Sequence, residues 1–317
     1  MDSLIATRTI SPALPKNIIS REGLLKRLSE NSDKSLILVL APAGYGKTTL
    51  TRDFLDYTKS NFAWVRISPD IDNFYIFTNY IITSLRNIYG GFGDNTEKVI
   101  EICREKYELN KNFKTIIVDV IGTLINDICK LAKEDIYLVL DELENLENFD
   151  WLSMMLNMLV ENAPSNFHII ITSRLQPEIN IASFYAKRKI FVLKTDDLTF
   201  NLSEIAELLE SVYSIKYTKD DLKTLEANIG GWITGIHLIL QAWGKNFAKL
   251  KVYNESVLEN KGIRFFPKHV HSGHMGVLPS AIGYDPIIRL QAGGLKVGEL
   301  LIKNETSYNG IPLVDMI

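Results

Sequence analysis

Leu36–Thr49 reads LILVLAPAGYGKTT: an apolar run of strand length, a loop bearing Gly44 and Gly46, and Lys47-Thr48-Thr49 where a helix can begin. Phosphate binding needs this order. Backbone N–H groups must converge on anionic oxygens, and glycine permits both the dihedrals and the close approach that a side chain would obstruct. A helix starting near Lys47 adds unpaired amides and the positive end of its dipole. Lys47 supplies a point charge for the β- and γ-phosphates, the Thr48 hydroxyl suits Mg²⁺, and Thr49 reaches toward the α-phosphate. With Gly44, Tyr45 and Gly46 these residues form a candidate site for ATP or ADP with Mg²⁺. Ala41 stands where the usual G-x-x-x-x-G-K-[ST] pattern has its first glycine, and Gly44 offers another flexible point inside the loop.

Further along, a second strand should bring acid to the metal. Ile136–Leu140 (IYLVL) runs into Asp141-Glu142, two carboxylates at a strand's carboxyl end, where ligands sit in open α/β sheets. Asp141 is the candidate for orienting Mg²⁺ or its water. Glu142 is the candidate for polarising an attacking water. The plain alternative is an acidic surface turn, since Glu144 and Glu147 follow. Phe167–Thr172 (FHIIIT) ends in Ser173-Arg174. Arg174 there can sense a γ-phosphate or neutralise developing charge; otherwise it is a surface arginine at a strand end.

Phe62–Ile67 and Ile190–Leu193 also read as strands, while Thr48–Tyr57, Phe74–Ile88, Lys114–Lys133 and Trp151–Asn162 carry helical spacing. Such alternation predicts an α/β fold, a parallel β-sheet flanked by helices and joined by right-handed crossovers. The character changes after Leu198. Asn201 with Glu204 forms a capping-box pattern opening a helix to about Tyr213. A second helix covers Lys219–Asn228, and Gly230-Gly231 breaks it before the apolar stretch Trp232–Trp243. The expected division is an NTPase domain over 1–198 with an N-terminal arm, a helical subdomain over 199–255, and an unassigned Gly/Pro-rich tail over 256–317.

Charged residues make up 23% and hydrophobic ones 46% of the 317 residues, the balance of a globular chain of about two domains. A net charge of −3, from 35 basic and 38 acidic residues, argues against a surface that coats nucleic acid. Cys103 and Cys129 form neither a zinc pattern nor a disulfide framework. Cys129 lies in the apolar-periodic stretch Ile121–Leu131 and reads as core; Cys103 lies between charged residues. The first residues lack a secretory pattern, and no run reaches the roughly 20 apolar residues of a membrane span, so a cytoplasmic location is expected. His269, His271 and His274, in KHVHSGHM, are candidate metal ligands, though no Cys or acid accompanies them closely.

Taken in order, Ser20-Arg21-Glu22, APAGYGKTT, WVRISPDIDN, YLVLDELENL, IIITSR, LTFNLSEIAELL and GGWITGIHL resemble one family over roughly residues 10–245. It is the ATPase module of the MalT type, whose members are LuxR-family ATP-dependent activators, among the STAND class of P-loop NTPases. The resemblance implies a regulator that cycles between an ADP-bound resting form and an ATP-bound, self-associating form. It implies that Arg21 lies near the adenine or ribose, that Lys47, Thr48 and Asp141 hold phosphate and Mg²⁺, and that Arg174 is a first sensor. The Gly230-Gly231-Trp232 turn would belong to a helical subdomain that closes over the nucleotide. Ile233 replaces the proline frequent after that tryptophan, so a contact from this turn to the phosphates does not carry over. Nothing after Leu250 reads as a helix-turn-helix, which leaves DNA binding to a domain not seen in this chain, and the effector is unknown. Two other readings stand beside this one. A turnover ATPase of the AAA-like loader type would hydrolyse briskly; a P-loop small-molecule kinase would need an Arg-rich lid, and none is visible between Thr172 and Leu198.

Overall fold

A computed structural model describes residues 4–16, 18–107, 113–131, 134–146 and 149–243, with short strands at Ile263–Arg264, Arg289–Ala292, Leu295–Lys296, Ser307–Tyr308 and Ile311–Pro312. His269, His271, His274 and Glu147 lie outside the described residues. The chain folds as two compact units. The first comprises Met1–Leu14, Arg21–Ala41 and Lys47–Lys194; the second comprises Pro15–Ser20, Pro42–Gly46 and Thr195–Ile317.

In the first unit a 3-10 turn at Ala6–Thr9 precedes α1 (Glu22–Ser29), β1 (Leu36–Leu40), α2 (Lys47–Thr58), β2 (Asn61–Arg66) and α3 (Phe74–Arg86). Then come α4 (Asp94–Tyr107), α5 (Phe113–Ile128), β3 (Ile136–Asp141), α6 (Asp150–Asn162), β4 (Phe167–Ser173), α7 (Ile181–Ala186) and β5 (Ile190–Leu193). The strands form one sheet in the order β2-β3-β4-β1-β5, and every pairing is parallel. All of β3 and β4 is buried, as befits strands covered on both faces, whereas Asn61 and Arg66 at the ends of the edge strand β2 are exposed. Register then fixes the sheet's upper rim: Arg66 lies beside Asp141, and Leu40 beside Ser173. This is the predicted α/β class.

Three helices, α3 to α5, fill the connection from β2 to β3. The Asn73 side chain caps α3 by accepting from the Tyr75 N–H at 2.8 Å. Phe74 meets Phe113 and Trp151 edge-on, each at 5.8 Å between centroids, in the core that α3, α5 and α6 share. Helix α4 has only a narrow apolar face, and α5 supplies its cap. Asp127 accepts from the Thr96 N–H and hydroxyl and from Asn95 and Lys130. Burial opposes ionisation of Asp127, but these donors outweigh it and hold its pKa below the ordinary value.

Two expectations need correction. Helix α5 ends at Ile128 rather than Lys133, which takes Cys129 off its buried stripe: Cys129 is exposed, and Cys103, on the inner face of α4, is the buried cysteine. Helices α1 and α4 were not anticipated at all. No helix among the described residues is long and apolar enough to cross a membrane.

In the second unit α8 (Thr195–Leu198) precedes α9 (Leu202–Glu207), which continues as a π-helical turn at Leu208–Val212. The capping box is present, Asn201 accepting from Ser203 N and Glu204 N while Glu204 accepts from Asn201 N. Helix α10 (Lys219–Ile229) ends on Gly230 in the left-handed region, and α11 (Ile233–Trp243) follows. Between them Gly231, at φ 71°, donates no side chain to a crowded spot: a Cβ there would lie 2.2 Å from the Phe200 carbonyl oxygen. The Phe200 N–H in turn donates to the Gly231 carbonyl at 2.9 Å.

Gly23 gives a contrast, since a Cβ there meets nothing within 4 Å. Gly23→Ala, inside α1, should stabilise the protein by about 0.5–1 kcal/mol in chemical denaturation. Gly231→Ala should destabilise by roughly 2–4 kcal/mol, because backbone on both sides must move.

Candidate functional site

After β1 the backbone leaves the sheet with one last bond, Ala41 N–H to Ser173 O at 3.2 Å. Gly44 and Gly46 then adopt φ of 76° and 77°, the left-handed values for which the loop needs glycine. Ala41 is buried and outside that region, so a methyl group is tolerated where the usual pattern has its first glycine. Helix α2 begins at Lys47, whose ammonium is buried and donates to the Ala41 carbonyl at 2.6 Å. Thr48 and Thr49 follow in its first turn. Tyr45 has its phenol pKa raised by burial and then by the charge of Asp196. Arg21 sits half-buried just before α1.

Asp141 is the focus of the first unit's rim. Its carboxylate is 2% exposed and accepts at Oδ1 from two hydroxyls, Thr48 Oγ1 at 3.0 Å and Thr172 Oγ1 at 2.5 Å. Burial pushes its pKa from 3.8 to about 6; the two threonine bonds pull down and the charge of Glu142 pushes up. A buried carboxylate beside a threonine hydroxyl at a helix N-terminus is a set of hard oxygen donors, which fits Mg²⁺ carried by a nucleotide. Thr172 also accepts from the Glu142 N–H at 3.1 Å, so one hydroxyl orients both acids. Nothing in the strand's apolar pattern marks Thr172; the signal was its position as the last polar residue of FHIIIT.

The remaining candidates are engaged in ion pairs. Glu142 has φ 64° and its carboxylate meets Arg66, Nε to Oε2 at 3.0 Å and Nη2 to Oε1 at 3.5 Å. Arg174 meets Glu144, Nε to Oε1 at 2.9 Å, and its own N–H donates to Glu144 Oε2 at 3.2 Å. Neither Arg66 nor Glu144 has a local sequence signal for these roles.

In the second unit, the loop segment Pro42–Gly46 is held by the start of α11. The Trp232 indole donates to Ala43 O at 3.0 Å, and the Thr234 N–H donates to Gly44 O at 3.2 Å. A Cβ on Gly44 would come within 2.6 Å of Thr234 Oγ1 and 2.7 Å of Trp232 Nε1. The turn thus grips the loop through an indole and a backbone amide, neither of which depends on the side chain at Ile233. Among the described residues no group of three or more His, Cys, Asp and Glu is placed to hold a metal.

Residues 16–174 match the family described as Nephrocystin 3, N-terminal. The chain is 26% identical over 239 residues to the HTH-type transcriptional regulator MalT of Yersinia pestis (strain Pestoides F), covering 74% of this chain and 25% of that one. MalT of Klebsiella pneumoniae is 22% identical over 236 residues, with the same coverage of 74% and 25%. The chain therefore spans a quarter of the length of these relatives. Among solved structures, a Signal Transduction ATPase with Numerous Domains from Pyrococcus horikoshii, with a tetratricopeptide repeat sensor, has a TM-score of 0.52 at 16% identity. It covers 78% of this chain and 34% of that one, and shows the same fold.

Asp141 yields a test in which stability and binding move oppositely. Folding raises its pKa, so the stability it contributes is present below about pH 4 and is lost as pH rises through about 6. Asp141→Asn should therefore stabilise the nucleotide-free protein at pH 7 by roughly 1–3 kcal/mol, while removing the Mg²⁺-dependent part of any nucleotide-induced melting shift. Paired denaturation and melting curves check both signs.

Proposed function

The chain belongs to the Nephrocystin 3, N-terminal family and carries a MalT-like STAND P-loop NTPase module, and from that premise we propose that it is a regulatory switch driven by bound ATP or ADP. The observation that carries this reading is the grip of Trp232 and Thr234 on Ala43 and Gly44. The loop that would wrap the phosphates is also held by a turn nearly two hundred residues further along the chain. Nucleotide entering the loop must accommodate those two bonds or break them, so the start of α11 is sensitive to what the loop holds.

In this reading Lys47 and the amides from Gly44 to Thr49 bind phosphates, Thr48 and Asp141 hold Mg²⁺, Tyr45 lines the loop, and Arg21 lies toward the base or ribose. Bound Mg²⁺ would neutralise phosphate charge. Hydrolysis is slow: Glu142 takes a proton from water as the water oxygen attacks the γ-phosphorus, and the β–γ bridging P–O bond breaks to leave ADP and inorganic phosphate. Arg174, released from Glu144, would sense the γ-phosphate. ATP favours self-association, and regulation of transcription, the role in the relatives' name, comes to this chain only through parts of such a protein beyond this module.

Mg-ATP and Mg-ADP, each at about 100 times its Kd, should raise stability by about 2.7 kcal/mol, and Lys47→Ala should erase most of the effect. Indole fluorescence should differ between the ADP and ATP complexes, and Trp232→Phe should remove that difference while leaving affinity within a few-fold. A melting temperature unmoved by either nucleotide would refute the reading; equal fluorescence in both complexes would reduce it to nucleotide binding without a switch.

A further inference from the structure

Glu142 combines a constrained backbone with a carboxylate countered by an opposite charge. It occupies the left-handed region at φ 64°, a conformation that costs a residue with a Cβ about 1–2 kcal/mol. Two bonds hold it there: its N–H donates to Thr172 Oγ1 at 3.1 Å, and its carbonyl accepts from Asn145 N at 3.1 Å. The turn is pinned besides to the residue that follows β2, Asn145 Nδ2 donating to Ile67 O at 3.0 Å. The backbone thus delivers the carboxylate to the end of β2, where Arg66 closes the strand beside Asp141. Arg66 grasps both oxygens, and its pKa is raised by that hydrogen bond and by the charge of Glu142.

A carboxylate whose two oxygens already accept from a guanidinium is turned toward that guanidinium and has fewer lone pairs to offer a water. We propose that Arg66 is a positioning residue that holds the Glu142 carboxylate away from water activation and so sets the low rate of ATP hydrolysis. The inference rests on reading Glu142 as the base. The restraint is light by construction. Arg66 is 64% exposed and Glu142 33%, so the pair lies in water, where such pairs contribute at most about 1 kcal/mol and salt screens them. Arg8 does not compete for Glu142, since Asp70 and Tyr80 already engage its guanidinium. Glu144 does not substitute for Glu142, since it is bound to Arg174.

The test measures Mg-ATP turnover and affinity for the whole chain, for Arg66→Ala, Arg66→Lys and Glu142→Gln, and for the double variant Arg66→Ala with Glu142→Gln. Arg66→Ala should raise kcat about two- to five-fold and leave nucleotide affinity within about two-fold, with Arg66→Lys in between. Turnover by the unaltered protein should rise between about 0.05 and 0.5 M KCl as the pair is screened, and that rise should vanish in Arg66→Ala. The double variant should be as slow as Glu142→Gln alone. Independently of any nucleotide, the ¹⁵N shift of Arg66 Nε, assigned by its loss in Arg66→Lys, should move on Glu142→Gln. A lower kcat in Arg66→Ala, an unchanged one, or an Nε signal indifferent to position 142 would each overturn the proposal. So would nucleotide binding with no hydrolysis in either the unaltered protein or Arg66→Ala. Absence of nucleotide binding would sink the switch reading instead, and the Nε signal would still decide whether the pair exists.

Discussion

A carboxylate buried between two threonine hydroxyls is the constraint around which the first unit is arranged. Asp141 reaches that position because β3 is an interior strand, buried along its whole length, so the strand that builds the core also carries the acid to the rim. Thr48 arrives on the first turn of α2 and Thr172 near the end of β4, each placed by an element that is buried for other reasons. The arrangement is costly to folding near neutral pH, because burial opposes the charge that Asp141 carries there. Three hydrogen-bonded groups from three elements converge there, which leaves little freedom to shift one without shifting the others.

The parts of this that were legible in the sequence share a property. Each is either local or enforced over a whole strand. LILVL and IYLVL announce covered strands because both faces must be apolar, and GYGKTT announces its conformation because Gly44 and Gly46 need positive φ. The Asn201 box is written within four residues. What escaped was carried by partners far away. Helix α4 is mostly polar and is capped by Asp127 from α5. Cys129 kept an apolar neighbourhood in sequence but lost it when α5 stopped one residue earlier. The mates of Glu142 and Arg174 lie 76 residues and 30 residues away. A motif names the groups that do chemistry but not the groups that restrain them.

Those restraints give the rim a uniform character. Glu142 and Arg174, the two charged candidates, are each held by an opposite charge, Arg66 and Glu144. The exposed Arg66–Glu142 pair is weak, and its main effect is on geometry rather than stability. The rim therefore combines a buried set of oxygen atoms with two charges held in ion pairs.

The bond from Trp232 to Ala43 spans 189 residues. A chain emerging from a ribosome releases its phosphate loop long before the turn that grips it, since residues leave at about 5–20 per second. For many seconds the loop must exist as a nascent segment without that grip, and the entropic cost of joining such distant points is met only when the turn before α11 has been made. Synthesis order thus separates the making of the loop from the making of the turn that finishes it.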